Sequence, residues 1–301
     1  MNKKTLSRLK EWVDIKINQP SNKSFYLDRR YQKWKAWSRY KIHNQKDPDL
    51  IPTNSGRSCA IWHEALFFKA VWNGDYKQAK DELIELTRFA CLSQRLILGL
   101  PNFNIKTDSV LWRDVFMNFA CAVSIGDQEN ENILGNWLIE GGRWEGKKPP
   151  RTKGHLDDGA MGRFLTELYA ITHGIEADFS FTEELRSEYR VLLDNWNSPS
   201  WDEQLAISFK EALTYHESLA VWHDDYDQTC FETNPRYFIA AFELMALLKY
   251  RQRQGLEVPY LDHPLINPLW EHIKDQELEP DEEPVRLGVI ARAKKEMPNF
   301  K

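Results

Sequence analysis

The sequence lacks any apolar run near the roughly 18 to 20 residues that a helix needs to cross a bilayer. Its first residues, Met1 to Arg8, lead into no apolar segment of the kind found in a secretory signal peptide. We therefore expect a soluble protein that stays in the cytoplasm and has no membrane partner.

Cysteine is scarce, with four residues in a chain of 301. The four, Cys59, Cys91, Cys121 and Cys230, are far apart, and none stands at the short spacing of paired zinc ligands. Cys91 and Cys121 fall in apolar helical contexts. We predict reduced and mostly buried thiols.

The common enzyme signatures are also missing. The chain has no Gly-Lys-Ser/Thr phosphate loop, no Gly-x-Ser-x-Gly elbow and no His-Glu-x-x-His zinc helix. This lack favours binding of another macromolecule over catalysis, and we expect no cofactor.

Strict apolar alternation is hard to find, whereas apolar spacings of three and four dominate, so we predict an all-α protein. The clearest unit is a helix hairpin over residues 58–98, broken at Asn73-Gly74-Asp75. A second pair of helices is separated by Gly126-Asp127. The predicted fold is an irregular array of antiparallel helix hairpins, either α/α superhelix-like or a helical bundle.

Start and stop signals mark further helices. Ser200-Trp-Asp-Glu203 predicts a capping box, in which Ser and Glu satisfy two amides reciprocally. Thr182 predicts the start of a helix through Leu185, Tyr189 and Leu192. Asn234-Pro235 predicts the start of another, which runs through Leu248 and ends at Gly255.

Composition divides the chain into five segments. Residues 1–57 form a basic, aromatic N-terminal helical segment, and residues 58–140 a helical hairpin array. Residues 141–156, with four glycines and two prolines, form a linker or loop. Residues 157–274 form a second helical array, and residues 275–301 an acidic tail with at most a short helix, which we expect to be partly mobile.

Charge is distributed unevenly. Residues 1–57 hold 14 Lys and Arg against 5 Asp and Glu, so the rest of the chain holds 26 against 40. The aromatic residues Tyr31, Trp34, Trp37 and Tyr40 lie among the basic ones, a pattern compatible with nucleic-acid binding. Because the acidic remainder would repel a polyanion, we expect an ordinary solvated helix face and no nucleic-acid partner.

Two groups of His and Asp deserve a test as metal or acid/base sites, at 155–158 and 223–227. Helix capping and a solvated connection between helices explain them more simply. An all-helical, metal-dependent enzyme remains an alternative, although the second motif of a terpene-synthase-like site is missing. Its candidate ligands are Asp224, Asp225 and Asp227.

Two further ionisable residues have structural explanations. Glu243 lies in the otherwise apolar run 242–248, where a buried carboxylate needs a partner such as an Arg, and we predict a structural ion pair. His263 lies in a turn, where we expect it to cap or fill a gap.

The layout resembles all-helical bacterial immunity proteins of polymorphic-toxin and type VI secretion systems, of the immunity protein 49-like and PoNe-immunity-like families. The motifs that carry the resemblance are Trp62-His-Glu-Ala65 to Gly74-Asp75-Tyr76, the helix from Asp108 to Gly126-Asp127, the run Phe238 to Leu248 with Gly255-Leu after it, and Asp262-His-Pro264-Leu.

The resemblance implies a non-catalytic inhibitor that occludes the active site of a cognate toxin inside the producing cell. An acidic body suits a basic partner such as a nuclease toxin. A helical-repeat scaffold for another protein is the main alternative, and a homodimer is also compatible. The candidate partner-binding residues are Trp222, His223, Asp224, Asp225, Asp227 and Glu232.

Overall fold

A computed structural model describes residues 3–18, 23, 28, 31–35, 50–100, 112–145, 162–176, 185–220, 235–297 and 299–301. These residues form helices and no strand, which confirms the all-α prediction. The α-helices are α1 (Lys3–Ile17), α2 (Leu50–Trp72), α3 (Tyr76–Leu98), α4 (Trp112–Ile125), α5 (Gln128–Glu145), α6 (Gly162–Thr172), α7 (Ser187–Asp194), α8 (Glu203–Leu219), α9 (Phe242–Arg253), α10 (Asn267–Ile273) and α11 (Pro284–Glu296). Within this described part, no helix combines the length and the apolar character needed to span a membrane.

The chain forms two compact units, each assembled from segments distant in sequence. Unit A comprises residues 1–8 and 109–277, and unit B comprises residues 9–108 and 278–301. Unit A therefore holds α4 to α10, and unit B holds α2, α3 and α11.

Unit B is built on the hairpin of α2 and α3, which confirms the predicted break at Asn73-Gly74-Asp75. Gly74 has a φ of 71°, and its amide and that of Asp75 bond back to carbonyls of the last turn of α2. The Asp75 carboxylate then accepts a hydrogen bond of 3.0 Å from the Gln78 amide and caps α3. Two adjacent residues thus end one helix and start the next.

In unit A, a glycine again ends one helix and an aspartate caps the next, at Gly126-Asp127 between α4 and α5, as predicted. Asp127 accepts a bond of 3.1 Å from the Asn130 amide. Gly126 has a φ of 76°, and a Cβ built on it would lie 2.4 Å from the Gln276 carbonyl oxygen. Position 126 therefore needs glycine both for its backbone conformation and for the close approach of residues 276–277.

Helix α9 is the centre of unit A, because the ten consecutive residues Phe242–Arg251 are all buried. It packs against α4 and α6. A helix that is buried on every side explains the near-continuous apolar run of residues 242–248.

Two predicted helix starts are wrong. Residues Pro235–Phe238 form a separate 3-10 helix, and α9 begins only at Phe242, because the Ala241 amide leaves the helical pattern to bond the Leu265 carbonyl at 3.1 Å. The capping box at Ser200 does not form. Asp202 caps α8 instead, with its carboxylate 2.9 Å from the Leu205 amide.

Other boundaries shift as well. Helix α7 begins at Ser187, not near Thr182, which lies outside the described residues. Helix α5 continues through residues 141–145, the first part of the predicted linker, because burial of Trp137 and Leu138 in the same helix offsets the weak helix propensity of glycine. Residues 146–156 lie outside the described part.

The segment predicted as an acidic, partly mobile tail contains α11, a helix of 13 residues. Val289 and Ala293 of this helix are fully buried, and α11 packs against α3. The helix begins at Pro284, where the Glu283 carboxylate caps the amides of Val285 and Arg286. The tail thus contains a longer helix than its composition predicts, and this helix is packed against the rest of unit B.

Three cysteines confirm the prediction of buried thiols. Cys59, Cys91 and Cys121 each have an exposed fraction of 0% and take part in no disulfide. Cys230 lies outside the described residues.

Candidate functional site

The predicted partner-binding residues fall in a stretch that the structure leaves undescribed. Trp222, His223, Asp224, Asp225, Asp227 and Glu232 all lie within residues 221–234, as do the candidate metal ligands of the enzyme alternative. The second group, at residues 155–158, also lies outside the described part. These assignments remain predictions. Among the residues that the structure does describe, no three His, Cys, Asp or Glu side chains form a group that could hold a metal ion.

A buried ion pair joins α8, which precedes residues 221–234, to α9, which follows the 3-10 helix after them. His216 of α8 and Glu243 of α9 both have an exposed fraction of 0%, and Nδ1 of His216 lies 2.7 Å from Oε1 of Glu243. Nε2 of His216 lies 2.7 Å from the carbonyl oxygen of Tyr237 in the 3-10 helix. One imidazole therefore joins three elements of unit A.

The two partners of His216 determine its protonation state. A carboxylate and a carbonyl oxygen both accept hydrogen bonds, so a ring that is protonated on both nitrogens can donate to both partners. Burial opposes this charged form, but the Glu243 carboxylate and the Tyr237 carbonyl outweigh it and raise the pKa of His216 above its ordinary value. The contacts of His216 therefore favour the protonated ring in the interior of unit A.

The Glu243 carboxylate is only partly satisfied. Its Oε1 also lies 3.4 Å from the Tyr189 hydroxyl, whereas its Oε2 has no hydrogen-bond partner among the described residues. Burial, followed by the charge of Glu243, raises the pKa of Tyr189 well above its ordinary value. The predicted structural ion pair of Glu243 is confirmed, with His216 in place of the suggested Arg.

His216 was not singled out by the sequence, although a signal was present. It continues the buried stripe of α8 formed by Leu205, Phe209 and Ala212, at the next position of the helical repeat. A histidine on an apolar stripe two helical elements before a buried glutamate is compatible with this pairing, but spacing alone does not specify it.

Within unit A, a second network fixes residues 274–277 to α9. Lys249, only 1% exposed, donates to the carbonyl oxygens of Lys274 and Gln276 at 2.7 and 2.6 Å and lies 2.9 Å from Glu277 Oε1. Arg253 lies between Glu131, at 2.7 Å, and Glu277, at 3.2 Å. The network uses these charges to join α9 to α5 and to the segment after α10.

Arg251 is a buried cation that binds backbone rather than carboxylate. Its side chain is fully buried and donates to the carbonyl oxygens of Trp196 at 2.8 Å, Ser198 at 3.0 Å and Glu257 at 2.9 Å. Burial lowers its pKa from the ordinary value. From the last turn of α9, Arg251 thus anchors two loops.

In unit B, Arg286 plays the corresponding part for the segment after residue 277. It is 2% exposed, bonds Asp281, and reaches Glu85 of α3 at 2.7 Å. Its guanidinium lies 4.9 Å from the Phe89 ring centroid. Although burial opposes ionisation, Arg286 lowers the pKa of Asp281.

His263 acts as predicted. Its Nδ1 accepts a hydrogen bond of 3.3 Å from the Leu265 amide, so it caps the turn before α10. Burial lowers the pKa of His263, which favours the neutral ring that this bond requires.

The aromatic residues of the basic N-terminal segment are partly engaged in packing. Trp34 has an exposed fraction of 0% and its ring centroid lies 5.4 Å from that of Phe89. The Tyr31 hydroxyl donates to Glu283, and burial together with this carboxylate raises the pKa of Tyr31 to about 12. Trp34 is therefore unavailable for base stacking, while Trp37 and Tyr40 lie outside the described residues.

Comparison with known proteins gives no relative from which a function could be transferred. The chain matches no family model, no curated protein and no solved structure.

Proposed function

We propose that the protein is a non-catalytic inhibitor that binds a cognate bacterial toxin in the producing cell and occludes its active site. The observation that carries the proposal is the negative net charge of the chain after residue 57, which holds 26 Lys and Arg and 40 Asp and Glu. A surface of that sign attracts a basic protein, such as a nuclease whose own active site is built to hold a polyanion.

The packing of unit A adds support. The buried charges of Lys249, Arg251 and His216 are bound to carbonyl oxygens or carboxylates that join helices and loops. These contacts keep the surface in one conformation, which lowers the ordering cost of binding.

The proposal is tested by co-expression with the protein encoded by the adjacent gene, because such inhibitors are encoded beside their targets. We expect the adjacent gene product to be toxic alone, and toxicity to disappear when this protein is present. A complex of one copy of each should elute as a single species in gel filtration. Toxicity that persists on co-expression, or two proteins that elute separately, contradicts the proposal.

A further inference from the structure

Residues 256–263 run along α8 in unit A. At the start of α8, the Trp201 amide donates to Glu257 at 2.8 Å, and at its end Nε2 of His263 lies 3.9 Å from Glu217. Residues 203–217 of α8 span about 21 Å, at about 1.5 Å per residue. A segment that contacts both ends of α8 lies beside that helix.

Two large apolar side chains are exposed on this surface. Tyr260 is 70% exposed at the middle of this segment, and Ile207 is 51% exposed on the side of α8 opposite its buried residues. They are the two most exposed large apolar residues in the described part of the chain. The described residues of unit A leave both side chains exposed, although each would gain by burial about 25 cal/mol for every Å² of apolar area.

The same surface is strongly acidic. Within residues 202–217 and 256–263, six exposed carboxylates accompany one exposed Lys, Lys210. We call this surface the α8 face, and its carboxylates are Asp202, Glu203, Glu211, Glu217, Glu257 and Asp262.

Two buried side chains also fix the backbone of the α8 face. Arg251 fixes the carbonyl oxygen of Glu257 with two bonds of 3.0 and 2.9 Å, and His216 fixes α8 to α9. Apolar anchors within a charged rim, on a backbone ordered before binding, have the arrangement of a protein interface.

We propose that the α8 face is the docking surface for a basic segment of the partner protein, with Tyr260 and Ile207 as its apolar anchors. The inference rests on the proposed function and names the surface that performs it. The six carboxylates select a partner segment rich in Lys and Arg, because any acidic occupant would meet like charges.

The anchors are tested by alanine substitution, with the catalytically inactive product of the adjacent gene as the probe. Tyr260→Ala should raise Kd about thirtyfold and Ile207→Ala about tenfold, as expected for central anchors. Leu287→Ala and Ile171→Ala are the matched controls, since these side chains are 45% and 41% exposed on other helices. The controls should change Kd by less than about threefold.

The charge requirement has its own variant. Glu203→Gln with Glu211→Gln should lower the association rate constant several-fold at low salt and weaken its dependence on ionic strength. Glu140→Gln with Glu282→Gln removes the same number of exposed carboxylates elsewhere and should leave the rate within about twofold. Thermal unfolding of each variant confirms that the fold is retained.

The outcomes separate the two proposals. Binding of the unmodified protein, with losses in the α8-face variants alone, supports both. Binding that the α8-face variants leave unchanged, or that the control variants weaken equally, overturns the docking surface and leaves the inhibitor function standing. Absence of binding by the unmodified protein overturns the inhibitor function and, with it, this surface.

Discussion

Charged side chains in the interior of this protein bind several acceptors each. Arg251 bonds carbonyl oxygens of two loops, Arg286 bonds two carboxylates, and Lys249 combines carbonyl oxygens with a carboxylate. Such groups stabilise a fold only while every partner is present, because a buried charge left alone costs several kcal/mol. His216 differs from the others because its charge depends on pH near neutrality.

The pair of His216 and Glu243 predicts a specific pH dependence. Because the folded pKa of His216 is raised, its stabilising contribution is complete below the unfolded pKa of about 6.5 and is lost as pH rises through the folded pKa. Glu243→Gln should reverse the direction in which the free energy of unfolding changes with pH. The Gln amide can donate to Nδ1, so the buried ring becomes neutral, its pKa falls below the unfolded value, and stability is lost on acidification instead.

Urea unfolding between about pH 5.5 and 8.5 measures this effect. Glu211→Gln, on the exposed side of α8, is the control. Its free energy of unfolding should change with pH by the same slope as that of the unmodified protein. An identical slope for Glu243→Gln and the unmodified protein would show that His216 does not titrate as its contacts require.

Helix ends follow local sequence more closely than helix starts. Gly74, Gly126, Gly174 and Gly255 all have positive φ, and each follows a helix whose last carbonyls it helps to satisfy. This chemistry involves only neighbouring residues, so the pattern of apolar spacing and glycine predicts it. The start of α9 depends instead on a long-range bond from Ala241 to Leu265, which no local pattern contains.

The true cap of α8 can be tested directly. Asp202→Ala should lower the free energy of unfolding by about 1 kcal/mol, because the Leu205 amide loses its acceptor. Ser200→Ala should change it by less than about 0.5 kcal/mol, since Ser200 lies outside the helix. Chemical denaturation compares the two, and a larger loss for Ser200→Ala would restore the predicted capping box.

At the scale of the whole molecule, the sequence predicts the helical class and the hairpins but not how distant segments combine. Residues 278–301 join unit B through contacts such as Arg286 with Glu85, which lie about two hundred positions apart in the chain. The candidate site was predictable in part, since the apolar surroundings of Glu243 indicate an ion pair. The identity of its partner depends on the packing of α8 against α9, which apolar periodicity leaves open.

Thiol burial offers a way to follow the two units separately. Cys91 lies in unit B and Cys121 in unit A, each with an exposed fraction of 0%. We expect both to resist an alkylating reagent in native buffer and to become modified only at the urea concentration at which the surrounding helices open. Mass spectrometry of the digested protein assigns the modification to each position, and rapid alkylation of either one without denaturant would contradict its burial.

Cys91 and Cys121 thus become reporters that the chain already carries. A difference between the two alkylation midpoints would show that one half can lose its structure while the other persists, and coincident midpoints would show a single cooperative transition. Either result can be obtained without a dye, a tag or an engineered residue.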